Sequence, residues 1–264
     1  MAFTRLNNLL VHWREAGRPD APALIFVNSL GTDCRLWDEL AQMLGHDWRI
    51  VLYDKRGHGL TEVTPGPYDI ATLADDLVAL ADHLHLARFT VVGLSIGGLI
   101  AQQVALRAPE RLSALVLADT AAQIGTADGW NERISMVRQG GLVAIADAVM
   151  QRWFTPPFHA AHPDELSGWR AMLCSTPVEG YAATCAALRA ADLTAQISAI
   201  TVPTLVVAGD ADQSTPPALV QATASRIPGA RFEQIPACGH IPPAEQPALL
   251  AAMISRHLQE HVHV

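Results

Sequence analysis

The segment Gly93-Leu94-Ser95-Ile96-Gly97, followed by Gly98, sets a serine where the apolar run Phe89 to Gly93 gives way to a helical pattern from Ile96 to Arg107. A strand-to-helix turn of this kind exposes the hydroxyl at a sharp backbone bend, because flanking glycines let neighbouring segments approach closely. The first N–H groups of the following helix lack intrahelical acceptors and face any negative charge that develops there. An ordinary glycine-rich turn with Ser95 as helix N-cap has the same local pattern. A serine hydroxyl is a weak nucleophile until a base takes its proton and an acid orients that base. His240, in Cys238-Gly239-His240 after the run Arg231 to Ile235, suits the base. Asp210 or Asp212, after the run Val202 to Ala208, suits the acid, although Asp210 is equally at home as a turn former. Together these residues would perform acyl transfer to serine. Of the eleven histidines only His240 follows a strand-like run in this way. His83 and His85 lie on a helix, His159 and His162 in a proline-rich loop, and His257, His261 and His263 at the C-terminal end, where solvation is the expectation.

These side chains are far apart in sequence, so a sheet must bring them together. Short apolar runs recur at Ala23 to Val27, Trp48 to Tyr53, Phe89 to Gly93, Leu112 to Ala118, Val202 to Ala208 and Arg231 to Ile235. Their apolarity is continuous rather than alternating, as in strands covered on both faces. Between them, Ile70 to Leu84 spaces Leu73, Leu77, Leu80 and Leu84 as one helical face. Strand alternating with helix predicts an α/β fold around a mostly parallel sheet flanked by helices, with sites beyond the strand ends. The alternation stops after Thr120. Residues 122–198 read as a helical cap, interrupted by Gly140-Gly141, Pro156-Pro157, Pro163 and Pro177 and free of convincing strands, inserted into a core of residues 1–121 and 199–264. Gln246 to Glu260 reads as a closing amphipathic helix.

Composition removes several classes of function. The 264 residues are 50% hydrophobic and 17% charged, which fits a folded domain with a large core and not a disordered chain. A net charge of −8 without a basic run argues against nucleic-acid binding. Four scattered cysteines without a C-x-x-C pair suggest neither a metal site nor a disulfide framework, and point to a reducing compartment. The uncharged stretch Phe89 to Leu106 is broken by glycines, Ser95, Gln102 and Gln103, so no membrane span is expected. The N-terminus has no apolar h-region, and a cytoplasmic location is the expectation.

With these residues in place the chain resembles the α/β-hydrolase fold superfamily. The resemblance rests on the elbow around Ser95, on Asp54-Lys55-Arg56-Gly57-His58-Gly59 as a form of D-x-R-G-x-G, on Gly209-x-x-Asp212, and on Gly239-His240. It implies Ser95, Asp212 and His240 as a catalytic triad, favouring Asp212 over Asp210. One departure stands out. Where these hydrolases carry His-Gly after the third strand, this chain has Val27-Asn28-Ser29-Leu30-Gly31. The resemblance then implies an oxyanion hole from the backbone N–H groups of Leu30 and Ile96, for which no particular side chain is needed. Asn28 reads either as a turn stabiliser or as a polar contact to substrate.

A narrower resemblance is to the 3-oxoadipate enol-lactonases of aromatic catabolism. It is carried by Asn28 to Asp33, Ala118 to Ala122 with Ile124-Gly125-Thr126, Trp130 to Ile134, Arg152 to Thr155, and Gly180-Tyr181-Ala182 through Cys185. Cap segments vary with substrate, so agreement there speaks to the substrate more than the triad does. The implied reaction is hydrolysis of a small anionic enol-lactone through an acyl-enzyme, with neither metal nor organic cofactor. An acidic protein needs a local cation for such a substrate. Arg133 is the first expectation, with Trp130 beside it and Arg138, Arg152 and Arg189 in reserve. Rival readings are a general carboxylesterase or perhydrolase, a C–C bond hydrolase, and a non-catalytic small-molecule receptor.

Overall fold

The computed structural model describes residues 1–262. The chain opens with β1 (Ala2–Leu6) and β2 (Leu9–Gly17), an antiparallel hairpin in which Leu6 faces Leu9 across Asn7-Asn8. Both asparagines have positive φ, 49° and 62°, which a two-residue turn of the right twist demands and asparagine tolerates. Then follow β3 (Ala23–Val27), α1 (Asp38–Leu44), β4 (Arg49–Tyr53), α2 (Ile70–His83), β5 (Phe89–Leu94), α3 (Ile96–Arg107) and β6 (Leu112–Ala118). The sheet has eight strands in the order β1-β2-β4-β3-β5-β6-β7-β8, with β7 at Thr204–Gly209 and β8 at Arg231–Ile235. From β4 to β8 every pairing is parallel, and β1 and β2 add an antiparallel edge. Strands β3, β5, β6 and β7 are buried almost end to end, as continuous apolarity requires of strands with helices on both faces.

Between neighbouring strands β6 and β7 lie five helices: α4 (Ala127–Gly140), α5 (Val143–Trp153), α6 (Pro156–Ala161), α7 (Pro163–Ser175) and α8 (Val178–Ala190). The insertion leaves and rejoins the sheet at one place, where the Leu193 N–H donates to the Ala122 carbonyl at 2.9 Å. Prolines 156 and 163 sit in the first turn of their helices, where a missing N–H costs nothing, so in place of the expected loop His159 lies within α6 and His162 is the joint between α6 and α7. After β7 come α9 (Pro217–Ala224), the short α10 (Pro242–Glu245) and α11 (Pro247–His261). His257, expected in solvent, is instead on the buried face of α11 with Nε2 3.3 Å from the Pro203 carbonyl, while His261 is exposed and His263 lies outside the described residues. No helix among the described residues is long and apolar enough to cross a membrane.

Candidate active site

Ser95 joins β5 to α3 with φ 59° and ψ −118°, a left-handed conformation that costs a non-glycine residue about 1–3 kcal/mol. The surroundings hold it there. Its N–H donates to Ala118 O at 3.0 Å, and its carbonyl accepts from Thr120 Oγ1 at 2.6 Å. A Cβ on Gly93 would overlap the backbone of Gly97, one on Gly97 the carbonyl of Val27, and one on Gly98 the side chain of Thr120. Gly97→Ala is therefore expected to destabilise the fold by at least ~1–3 kcal/mol, the usual cost of overpacking, read as a lower urea midpoint.

His240 follows β8, and its N–H donates to Trp153 O at 2.8 Å, which ties the histidine loop to the end of α5. Its Nδ1 lies 2.8 Å from Asp212 Oδ2 in a pair shielded from solvent. Asp212 Oδ1 accepts from the N–H groups of Ser214 and Thr215 at 2.7 and 3.2 Å, and Oδ2 accepts from Thr215 Oγ1 at 2.6 Å. Burial works to raise the pKa of this carboxyl, but the charge of His240 with hydrogen bonds from His240, Thr215 and Ser214 outweighs it and holds the group below the usual range. Asp210 turns away and accepts from the Cys238 N–H at 3.1 Å, a loop contact.

A second acid stands behind the first and was not singled out in the sequence. Asp119, at the end of β6 with φ 43°, accepts from the Gly209 N–H at 2.8 Å, and its ligating atom lies within 4.8 Å of those of Asp212 and His240. Burial, then the charge of Asp212, push its pKa well up, so of the two carboxyls Asp119 is the one that favours the protonated form.

Ser95 and His240 line one cavity of about 140 Å³, whose wall also includes Leu30, Trp130, Arg133 and Arg152. Leu30 lines the cavity with Ser95, and Ile96 follows the serine as the first residue of α3. Among the described residues Leu30 N–H has no intramolecular acceptor, and Ile96 N–H opens α3. Trp130 is anchored by Nε1 donating to Ile124 O at 2.7 Å. Arg133 donates to the Tyr181 hydroxyl at 3.3 Å, and neither Arg133 nor Arg152 has an acidic partner among the described residues. The reserve cations are engaged elsewhere: Arg138 pairs with Glu179 at 2.8 Å and Arg189 donates to Asn131 Oδ1 at 2.6 Å. Asn28 is not brought to the cavity as a substrate contact. It is fully buried, its amide donates to the Thr32 carbonyl, and it braces the turn. Tyr181 was legible only through the narrower resemblance.

The Asp54 to Gly59 segment lies under the loop that carries Leu30. Asp54 accepts from the Cys34 and Leu60 N–H groups at 2.7 and 2.8 Å and faces His12 Nδ1 at 2.7 Å. His58 Nε2 accepts from the Gly31 N–H at 3.0 Å. Burial, reinforced by the Lys55 charge, drives the His58 pKa well down and keeps that nitrogen free to accept. Lys55 Nζ donates to Ser29 O at 2.6 Å.

An eight-stranded, mostly parallel sheet, a strained serine at a strand-to-helix bend and a helical insertion after β6 define a hydrolase architecture. Residues 24–253 match the Alpha/beta hydrolase family, and the chain belongs to it. It is 38% identical over 241 residues to 3-oxoadipate enol-lactonase 2 of Acinetobacter baylyi, covering 91% of this chain and 90% of that protein. The crystal structure of the enol-lactonase from Burkholderia xenovorans LB400 superposes with a TM-score of 0.96 at 36% identity, over 98% of this chain and all of the other. A thermophilic esterase from Thermogutta terrifontis, solved with malate bound, matches with a TM-score of 0.92 at 29% identity, over 98% of both chains.

Proposed function

We propose that this chain hydrolyses 3-oxoadipate enol-lactone to 3-oxoadipate by a Ser95-His240-Asp212 triad. His240 takes the Ser95 proton as the alkoxide attacks the lactone carbonyl, and the N–H groups of Leu30 and Ile96 receive the negative oxygen. Collapse breaks the ring C–O bond. The departing oxygen leaves as an enol, takes its proton from His240 and tautomerises to the ketone. A water deprotonated by His240 then cleaves the ester to Ser95, releasing the second carboxylate. Asp212 holds the imidazole in the required tautomer and stabilises its charged form.

The observation that carries the lactone reading is the pair of arginines, Arg133 and Arg152, which line one cavity with Ser95 and His240 and have no acidic partner among the described residues, in a chain of net charge −8. Two uncompensated guanidiniums beside a nucleophile suit a substrate that brings its own carboxylate. The similarity to enol-lactonases supports the lactone reading, and a related esterase was solved with malate bound.

Turnover of the enol-lactone against p-nitrophenyl acetate tests the reading. The lactone is expected to be much the better substrate, and faster cleavage of the simple ester would transfer the protein to the carboxylesterases. Arg133→Ala is expected to lower kcat/KM for the lactone about a hundredfold, the ~2.7 kcal/mol of a lost charge-assisted contact, while changing neutral-ester cleavage little. Equal losses on both substrates would remove the anion-binding role.

A further inference from the structure

The chain's 18 basic residues are all arginines except one, Lys55. That single lysine is about 1% exposed, on a chain whose other cations include every one at the surface. A buried ammonium is costly unless something is gained from its placement. No carboxylate lies within ion-pairing distance of Lys55 among the described residues. Its hydrogen bonds go to backbone carbonyls, Ser29 O at 2.6 Å and Thr32 O at 3.5 Å. Burial pushes its pKa well down, opposed by the charges of Asp54 and Asp33.

The Ser29 carbonyl and the Leu30 N–H are two ends of one amide. A donor at the oxygen draws electron density through the amide and makes the N–H a stronger donor, by the cooperativity that runs along hydrogen-bonded chains. Ser29 O accepts from three groups at once: Lys55 Nζ, Thr32 Oγ1 at 3.0 Å and Thr32 N at 3.4 Å. On the other side of Leu30, the Gly31 N–H is held by His58. The plane of the 29–30 peptide is thereby set from both flanks, while its N–H has no acceptor among the described residues.

We infer that Lys55 is the positioning residue of the oxyanion hole, orienting and polarising the Ser29–Leu30 peptide so that the Leu30 N–H meets the negative oxygen of the tetrahedral intermediate. This rests on the assignment of Leu30 as an oxyanion donor. Lys55 acts through that peptide and touches no substrate, so its contribution belongs to the transition state. Binding of the ground state owes it little.

The test uses Lys55→Met, similar in length but without donors, and p-nitrophenyl acetate, which does not engage the arginines. The expected result is a fall in kcat of about tenfold or more, a weakened rather than deleted oxyanion donor, with KM changed less than about threefold. Affinity for a boronic acid that forms a tetrahedral adduct with Ser95 should fall by the same factor. Because the chain holds one lysine, wild-type protein labelled with 15N-lysine gives a single Nζ resonance, expected to move on boronate adduct formation and to stay put with a non-covalent carboxylate ligand. If Lys55→Met does not fold, Thr32→Val removes another donor from the same carbonyl, and a smaller loss with the same parallel in boronate affinity is expected. Unchanged boronate affinity in a folded variant, or an Nζ resonance indifferent to the adduct, overturns the role of Lys55. Failure of wild type to label with a fluorophosphonate at Ser95 is a separate result that removes the serine mechanism itself, and this inference with it.

Discussion

Ser95→Ala and His240→Ala are each expected to lower kcat about 10⁶-fold, and the double variant no further, because nucleophile and base act as a unit. The reason is visible in the bend. Ser95 is held at φ 59° by its own N–H on Ala118, by Thr120 on its carbonyl and by close packing at Gly97 and Gly98, so the strain is borne by the scaffold and the hydroxyl is delivered to the cavity. The helix and loop N–H groups remain in both variants, so activity should persist at about 10³–10⁴ over the uncatalysed reaction. Burst kinetics with p-nitrophenyl acetate check this: wild type accumulates acyl-enzyme and the variants do not. Losses smaller than about tenfold would show that the chemistry runs through another group.

The parts of the fold legible in the sequence are those whose signal is local and repeated. Continuous apolar runs marked β3 to β7, and the leucine spacing marked α2, because burial on both faces or on one stripe leaves its period in the chain, whereas the edge strand β8, Arg-Phe-Glu-Gln-Ile, is partly exposed and carries only two apolar residues. The β1–β2 hairpin leaves little trace in the sequence because its edge position gives only weak alternation, and its turn is Asn-Asn rather than a glycine pair. The bonds beneath the oxyanion loop were illegible for a different reason. His12 meets Asp54 across 42 residues, Lys55 meets Ser29 across 26 and His58 meets Gly31 across 27, and nothing local in the sequence encodes such a meeting. Asn28 shows the limit from the other side: its type fitted a turn or a ligand equally, and only the Thr32 carbonyl beside it decides for the turn. For the cations, charge arithmetic demanded an arginine, but choosing among them required knowing that Glu179 and Asn131 occupy Arg138 and Arg189.

Asp212→Asn is expected to lower kcat about 10⁴-fold, whereas Asp210→Ala, which loses only the contact to the Cys238 N–H, should leave kcat within about twofold and lower stability by about 1 kcal/mol. The contrast follows from where each carboxylate points. Asp212 Oδ2 faces His240 Nδ1 at 2.8 Å, so an amide in its place presents either a donor to a donor or the wrong tautomer to the serine. Asp119 cannot take over at neutral pH, although it lies close to both. Burial, the largest cause of its raised pKa, remains when Asp212 is replaced and favours the protonated form, and a neutral carboxyl cannot stabilise an imidazolium as an anion does. Asp119→Asn, which retains an acceptor for the Gly209 N–H and offers a donor toward Asp212, is therefore expected to cost far less than Asp212→Asn. The pH–rate profile separates the two acids. If Asp119 were the working carboxylate, Asp212→Asn would relieve the repulsion that raises the Asp119 pKa and leave a substantial rate at neutral pH. A ten-thousandfold loss that persists from pH 6 to pH 9 places the anionic partner of His240 at Asp212.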